Sequence, residues 1–256
     1  MAYSVQVLQV GRQELLGACI YYMERFDVWE RFIFTIVVIQ GEGKTLVINS
    51  GLPEDLTVLD PYWKIWPGER KIEVNETEKP LNALKKIGVN PVEVDHLIIS
   101  PLIYYATSNI DLFPRAQICL LKRGWVDFHA PAHRCFDQFR PLFIPDHILR
   151  HLVTEAWPRV RLLEDEDEVI PGIRTFFAGV HHRSSMGVCI ETARGKAIFS
   201  DSFFKFRNVE ENIPVGYIEN LEEAYSTYER VRKESKLLIP AFDPEIFVRY
   251  PGGVIA

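Results

Sequence analysis

Apolar positions recur along this chain in two rhythms, and each predicts a different element. Val5 to Val10 and Phe32 to Ile39 are β-branched and aromatic runs without internal Gly or Pro, which predicts strands. Gly41-Glu-Gly43 turns the chain into a third strand, Lys44 to Asn49. Later apolar runs predict strands over Gln117 to Leu121, Gly172 to Val180, Gly187 to Thr192, Lys196 to Ser200 and Lys236 to Pro240. Helical spacing appears in three places. Leu81 to Ile87 stops at Gly88, which suits a left-handed cap. In Pro145 to Ala156, Ile148, Leu149, Leu152, Val153 and Ala156 share one face, opposite His147, His151 and Glu155. Leu221 to Glu234 is capped by Asn220, with Glu223 placed to reciprocate, and Leu221, Ala224, Tyr225, Tyr228 and Val231 form its apolar stripe. The rest reads as connections: an aromatic excursion over Pro61 to Pro67, a loop over Arg123 to His133, and a solvated β-turn over Glu164 to Glu168.

Composition narrows the class. A 256-residue chain with 47% hydrophobic and 25% charged residues is long enough to bury a sizeable core in one α/β domain spanning 1–256. A net charge of −6 argues against nucleic acid or an anionic membrane as partner. No apolar run approaches membrane-spanning length, and the start lacks a basic segment followed by an apolar core, so a cytoplasmic protein is expected. Cys19, Cys119, Cys135 and Cys189 are widely spaced in apolar surroundings, as reduced thiols would be. His147 and His151 have metal-ligand spacing, but no Glu follows His147 as a zincin motif requires. A solvated face is the simpler reading, and His129 and His133 read as loop histidines.

Six segments carry candidate chemistry. Asn49-Ser-Gly-Leu-Pro53 ends a strand. Val94 to Ala106 is followed by Phe113-Pro-Arg-Ala116. Gly179-Val-His-His-Arg-Ser-Ser-Met186 and Phe199-Ser-Asp-Ser-Phe203 come next, then Pro240-Ala-Phe-Asp-Pro244. In order and spacing these resemble the metallo-β-lactamase superfamily, closest to its N-acyl homoserine lactonase-like branch. The resemblance implies a four-layer αβ/βα sandwich of two mainly antiparallel sheets, with the site at one edge. It also implies a dinuclear metal centre. Laid on the family's Thr-His-x-His-x-Asp-His, Ser100 takes the Thr position, and Pro101, Ile103, Tyr105 and Ala106 take those of the ligands. Phe242 stands where the last His belongs, and Asn49 where the family has a supporting Asp. Of seven ligand positions, His181 and Asp201 keep their identity.

A hydrolytic zinc site needs about three protein ligands per metal and an open position for water. Pro, Ile, Ala and Phe cannot ligate, and a neutral Tyr ligates weakly. Filling of the vacated centre, with Ile103 meeting Phe242, is therefore expected, and no cofactor is assigned beyond the option of a single zinc or iron. One reading keeps His181, His182 and Asp201 as a hydrogen-bonded structural cluster. The sharper one has Arg183, Tyr105, Ser184 and Asp243 lining a pocket for an anionic small molecule, a fixed positive charge being better suited to an anion than to a metal. The functional expectation is a ligand-binding protein, or a non-catalytic subunit beside an active paralogue or in a homo-oligomer. The alternative is a working lactone, ester or amide hydrolase with a mononuclear, relocated or metal-free site at His181, His182 and Asp201.

Overall fold

In the computed structural model, which describes residues 2–63, 68–133 and 140–256, Phe32 to Ile39 are buried without interruption. A strand covered on both faces has no solvent side to alternate toward, which explains its unbroken apolar run. It lies within β2 (Trp29–Gly41), between β1 (Ser4–Leu16) and β3 (Lys44–Ile48). β4 (His96–Ile99), β5 (Gln117–Leu121) and β6 (Val160–Leu163) complete a sheet ordered β1-β2-β3-β4-β5-β6. β7 (Glu166–Ile170), β8 (Ile173–Phe177), β9 (Met186–Thr192), β10 (Gly195–Ser200) and β11 (Leu237–Pro240) form the second, ordered β11-β10-β9-β8-β7.

The expectation of mainly antiparallel sheets holds for the second sheet and needs correction for the first. There β1, β2 and β3 are antiparallel, but β3, β4, β5 and β6 run parallel. Each parallel step needs a crossover, and the chain supplies long ones. Helix α1 (Pro80–Lys86) precedes β4, ending at Gly88 with the expected positive φ of 75°. Helices α2 (Lys122–His129) and α3 (Asp146–Val153) lie between β5 and β6, and α4 (Leu221–Glu234) carries the chain to β11, parallel to β10.

Several local expectations are revised. The supposed loop over Arg123 to His133 begins as α2, because its apolar residues Trp125 and Phe128 are buried while its polar ones face out. The acidic run is a turn only at Glu164-Asp165, since Glu166 to Glu168 already pair with β8. Asn220 caps α4 by accepting from the Glu223 N–H at 3.0 Å, but Glu223 does not reciprocate; its carboxylate is engaged elsewhere. Ala224, Thr227, Tyr228 and Val231 form the buried stripe of α4, whereas Leu221 and Tyr225 are exposed. On α3, His151 pairs with Glu155 at 3.0 Å and His147 faces solvent. Cys119 and Cys189 are buried thiols and Cys19 is half-buried. Cys135 and most of the Pro61 to Pro67 excursion lie outside the described residues.

One seam matters for the site. The Ile33 N–H donates to Phe242 O at 3.1 Å, and Thr35 Oγ1 donates to Ala241 O at 2.7 Å. These bonds pin the loop after β11, which belongs to the second sheet, onto β2 of the first.

Candidate functional site

The ends of β3 and β4 are tied together by a single side chain. Asn49, at a φ of 66°, donates from Nδ2 to Ser100 O at 2.8 Å and accepts from the Ser100 N–H at 2.9 Å. A carboxylate at this position could only accept, whereas an amide serves both roles. Ser100 in turn donates from Oγ to Asp201 Oδ1 at 2.8 Å and accepts from the Met186 N–H at 2.8 Å. Ser185 Oγ donates to Asp201 Oδ2 at 2.5 Å. Asp201 is fully buried, and burial pushes its carboxyl up to about 6 against the pull of the two hydroxyls. Both oxygens are thus occupied by serines from two other segments, and neither bonds a histidine. The expected hydrogen-bonded cluster of Asp201 with His181 and His182 is corrected accordingly.

The two histidines do separate jobs. His181 donates from Nδ1 to Tyr217 O at 2.8 Å, which leaves Nε2 as a lone pair facing the Tyr105 hydroxyl at 3.4 Å. His182 Nδ1 accepts from the Ser184 N–H at 3.1 Å and from Ser184 Oγ at 2.5 Å, so its proton sits on Nε2. Burial holds His181 down at about 4 and His182 at about 3, so both rings are neutral near neutral pH. Tyr105 is driven well above the ordinary phenol range by burial and stays protonated.

Three residues expected to bind a ligand are engaged in structure instead. Arg183 bonds Glu219 at 3.3 Å and Glu223 at 3.0 Å, with a second contact from Nη2 to Glu223 Oε2, and lies over the Phe177 ring at 5.2 Å. Its charge is answered by two carboxylates, so it offers little to an anion. Ser184 is fully buried, its Oγ accepting from the Leu102 N–H at 2.7 Å. Asp243 accepts from the Phe206 and Glu245 N–H groups, both at 3.0 Å, and so holds the final turn.

Around Tyr105 and Phe242 the structure places further aromatic rings. Phe242 stacks on Phe32 with centroids 4.3 Å apart, and meets Tyr105 and Phe204 edge-on, both at 5.2 Å. Ala106 is buried, Pro101 follows a cis peptide, and Ile103 stands half-buried in a pocket wall. Filling is therefore partial. A pocket of about 380 Å³ stays open beside the rings, and His181, His182, Tyr105 and Phe242 all border it.

Two polar residues of that pocket carry no sequence signal. Gln13 is only 6% exposed although it sits in β1, on the same strand face as Leu15 and opposite Phe32. Glu69, bridged through its backbone to Leu15, interacts with the side chains of Gln13 and Tyr217. Burial raises its carboxyl above the usual range. Among the described residues, no three His, Cys, Asp or Glu side chains stand together as ligands of one metal ion.

The two sheets and their connections are those of the metallo-β-lactamase fold. No protein-family model matches the chain. It is similar to the N-acyl homoserine lactonase AiiA of Bacillus thuringiensis subsp. kurstaki, with 21% identity over 216 residues, 81% of this chain and 80% of that protein. A solved N-acyl homoserine lactone hydrolase, with N-hexanoyl-L-homoserine bound at its catalytic metal centre, superposes with a TM-score of 0.79 at 19% identity over 97% of each chain. The hydrolase AbOPH of the β-lactamase superfamily superposes with a TM-score of 0.70 at 13% identity, over 98% of this chain and 89% of its own. The resemblance to the lactonase-like branch is thereby borne out, at low identity.

Proposed function

We propose that this chain is a ligand-binding protein on a metallo-hydrolase scaffold, acting alone or as the non-catalytic partner of an active sister chain, and that it does not run dinuclear hydrolysis. The observation that supports this reading is the state of the two retained donors. Asp201 is closed off by Ser100 and Ser185, and His181 has one ring nitrogen committed to Tyr217 O. The five other positions hold Pro101, Ile103, Tyr105, Ala106 and Phe242. That donor set does not fit two metal ions, which together need about six protein ligands. An open pocket lined mainly by aromatic and aliphatic side chains is what remains, and such pockets bind small molecules.

Elemental analysis of untagged protein, purified without chelators, is the direct test. Well under one equivalent of zinc or iron per chain is expected; two tightly held equivalents overturn the reading. The rival hydrolase reading has one observation in its favour, the His181 Nε2 lone pair facing the pocket. A base held at about 4 is weak, and no carboxylate orients it. A screen of lactones, esters and amides decides it: turnover abolished by His181→Ala would establish that reading, and absence of turnover is expected.

A further inference from the structure

The binding reading leaves the class of ligand open, and the polar end of the pocket speaks to it. Gln13 Oε1 is buried without a hydrogen-bond partner among the described residues. Its amide orientation follows from its neighbour: Nε2 turned to the Glu69 carboxylate donates a hydrogen bond, whereas the flipped amide would set oxygen against oxygen. A buried orphan carbonyl costs free energy comparable to a lost hydrogen bond, so it marks a place where a donor is missing. Glu69 sits beside it. Among the described residues no cation contributes to its electrostatic surroundings, which consist of desolvation and the donors on Tyr217 and Gln13. Glu219, the other carboxylate bordering the pocket, is already paired with Arg183.

The walls add the second half. Tyr104, Tyr105 and Tyr217 line the same pocket as Glu69 and all feel its charge. No Lys or Arg among the described residues lines the pocket, and its histidines are neutral. Aromatic faces, a carboxylate without a cation partner among the described residues and an unmet acceptor are together the chemistry that takes up an organic cation. We propose that this pocket binds an apolar molecule ending in a protonated amine, with the ammonium between Glu69 and Gln13 Oε1 and the hydrocarbon body among Phe32, Phe34, Tyr105 and Phe242. This rests on the binding reading above and departs from the anionic ligand that Arg183 had suggested.

The test compares n-octylamine, 1-octanol and octanoate by calorimetry on the full chain at about pH 8. Octylamine is expected to bind about tenfold or more tightly than either of the others, since only it brings a charge and donors to a buried carboxylate. Glu69→Gln is expected to remove that advantage while leaving octanol affinity unchanged. Gln13→Met, which keeps the shape and deletes the orphan oxygen, is expected to weaken octylamine alone, and it carries the test should Glu69→Gln fail to fold. If octanol or octanoate binds as well as the amine, or the amine ignores both substitutions, the ligand class is wrong while the binding reading stands. If none of the three binds, both fall.

Discussion

Asp201 shows how burial sets the work of a carboxylate. Its ordinary carboxyl range is near 3.8, and in the fold burial pushes it up to about 6. A raised acid favours the native state while protonated. The contribution is therefore complete below the unfolded value and is lost as pH rises through about 6. The shift corresponds to about 3 kcal/mol as an order of magnitude. Asp201→Asn keeps the shape and a bond to Ser100, and removes the buried charge. Its urea midpoint is expected to exceed that of the parent at pH 8, with the gap closing below about pH 4. A variant less stable than the parent at pH 8 would show that the ionised form, held by Ser100 and Ser185, is the stabilising one. His181 and His182 act in the opposite sense. Their depressed values make stability full above the usual imidazole range and lose it as pH falls toward about 4 and then about 3.

At the scale of elements, the decisive contact is between α2 and the loop that carries the histidines. A Cβ added at Gly124 would stand 2.2 Å from Ser184 Cβ and 2.4 Å from its Cα. The helix approaches that loop as closely as it does because residue 124 has no side chain. Ser184 in turn holds both His182 and the Leu102 N–H, so the approach fixes the site's floor. Gly124→Ala is expected to lower stability by about 1–3 kcal/mol, since backbone rather than a flexible side chain must yield. Denaturant unfolding measures it, and a cost near zero would show that the helix and loop shift apart freely. α4 makes a related point. Its carboxylate at Glu223 accepts from the Val180 N–H at 3.1 Å and binds Arg183, so the helix start braces the same loop from the other side.

At the scale of the whole molecule, the ring of Phe242 stands at the seam of the two sheets. It is 3% exposed and packs against rings from β2, from the turn after β4 and from the loop after β10. Aromatic packing joins these segments here. Phe242→Ala is therefore expected to cost about 3–5 kcal/mol, the range for removing a buried aromatic side chain. A loss under about 1 kcal/mol in chemical unfolding would show that the seam depends on the backbone bonds of Ile33 and Thr35 instead. Among the described residues no helix is long and apolar enough to cross a membrane.

The boundaries between what the chain reads out and what folding decides follow from distance along the sequence. Strand and helix positions were legible because period and caps are local: Leu221 to Glu234 matches its helix, with Asn220 as its cap. The fold was legible because its motif segments keep order and spacing. Which side of α4 is buried, the helix within Arg123 to His133 and the parallel half of the first sheet depend on packing partners that periodicity does not name. The same holds for the site. Arg183 is neutralised by acids 36 and 40 residues away, Asp201 is sealed by a serine 101 residues away, and Gln13 meets Glu69 only because β1 passes the segment after residue 67. A side chain's type states which bonds it can make; only the folded chain decides which partner reaches it first and whether water is left to compete.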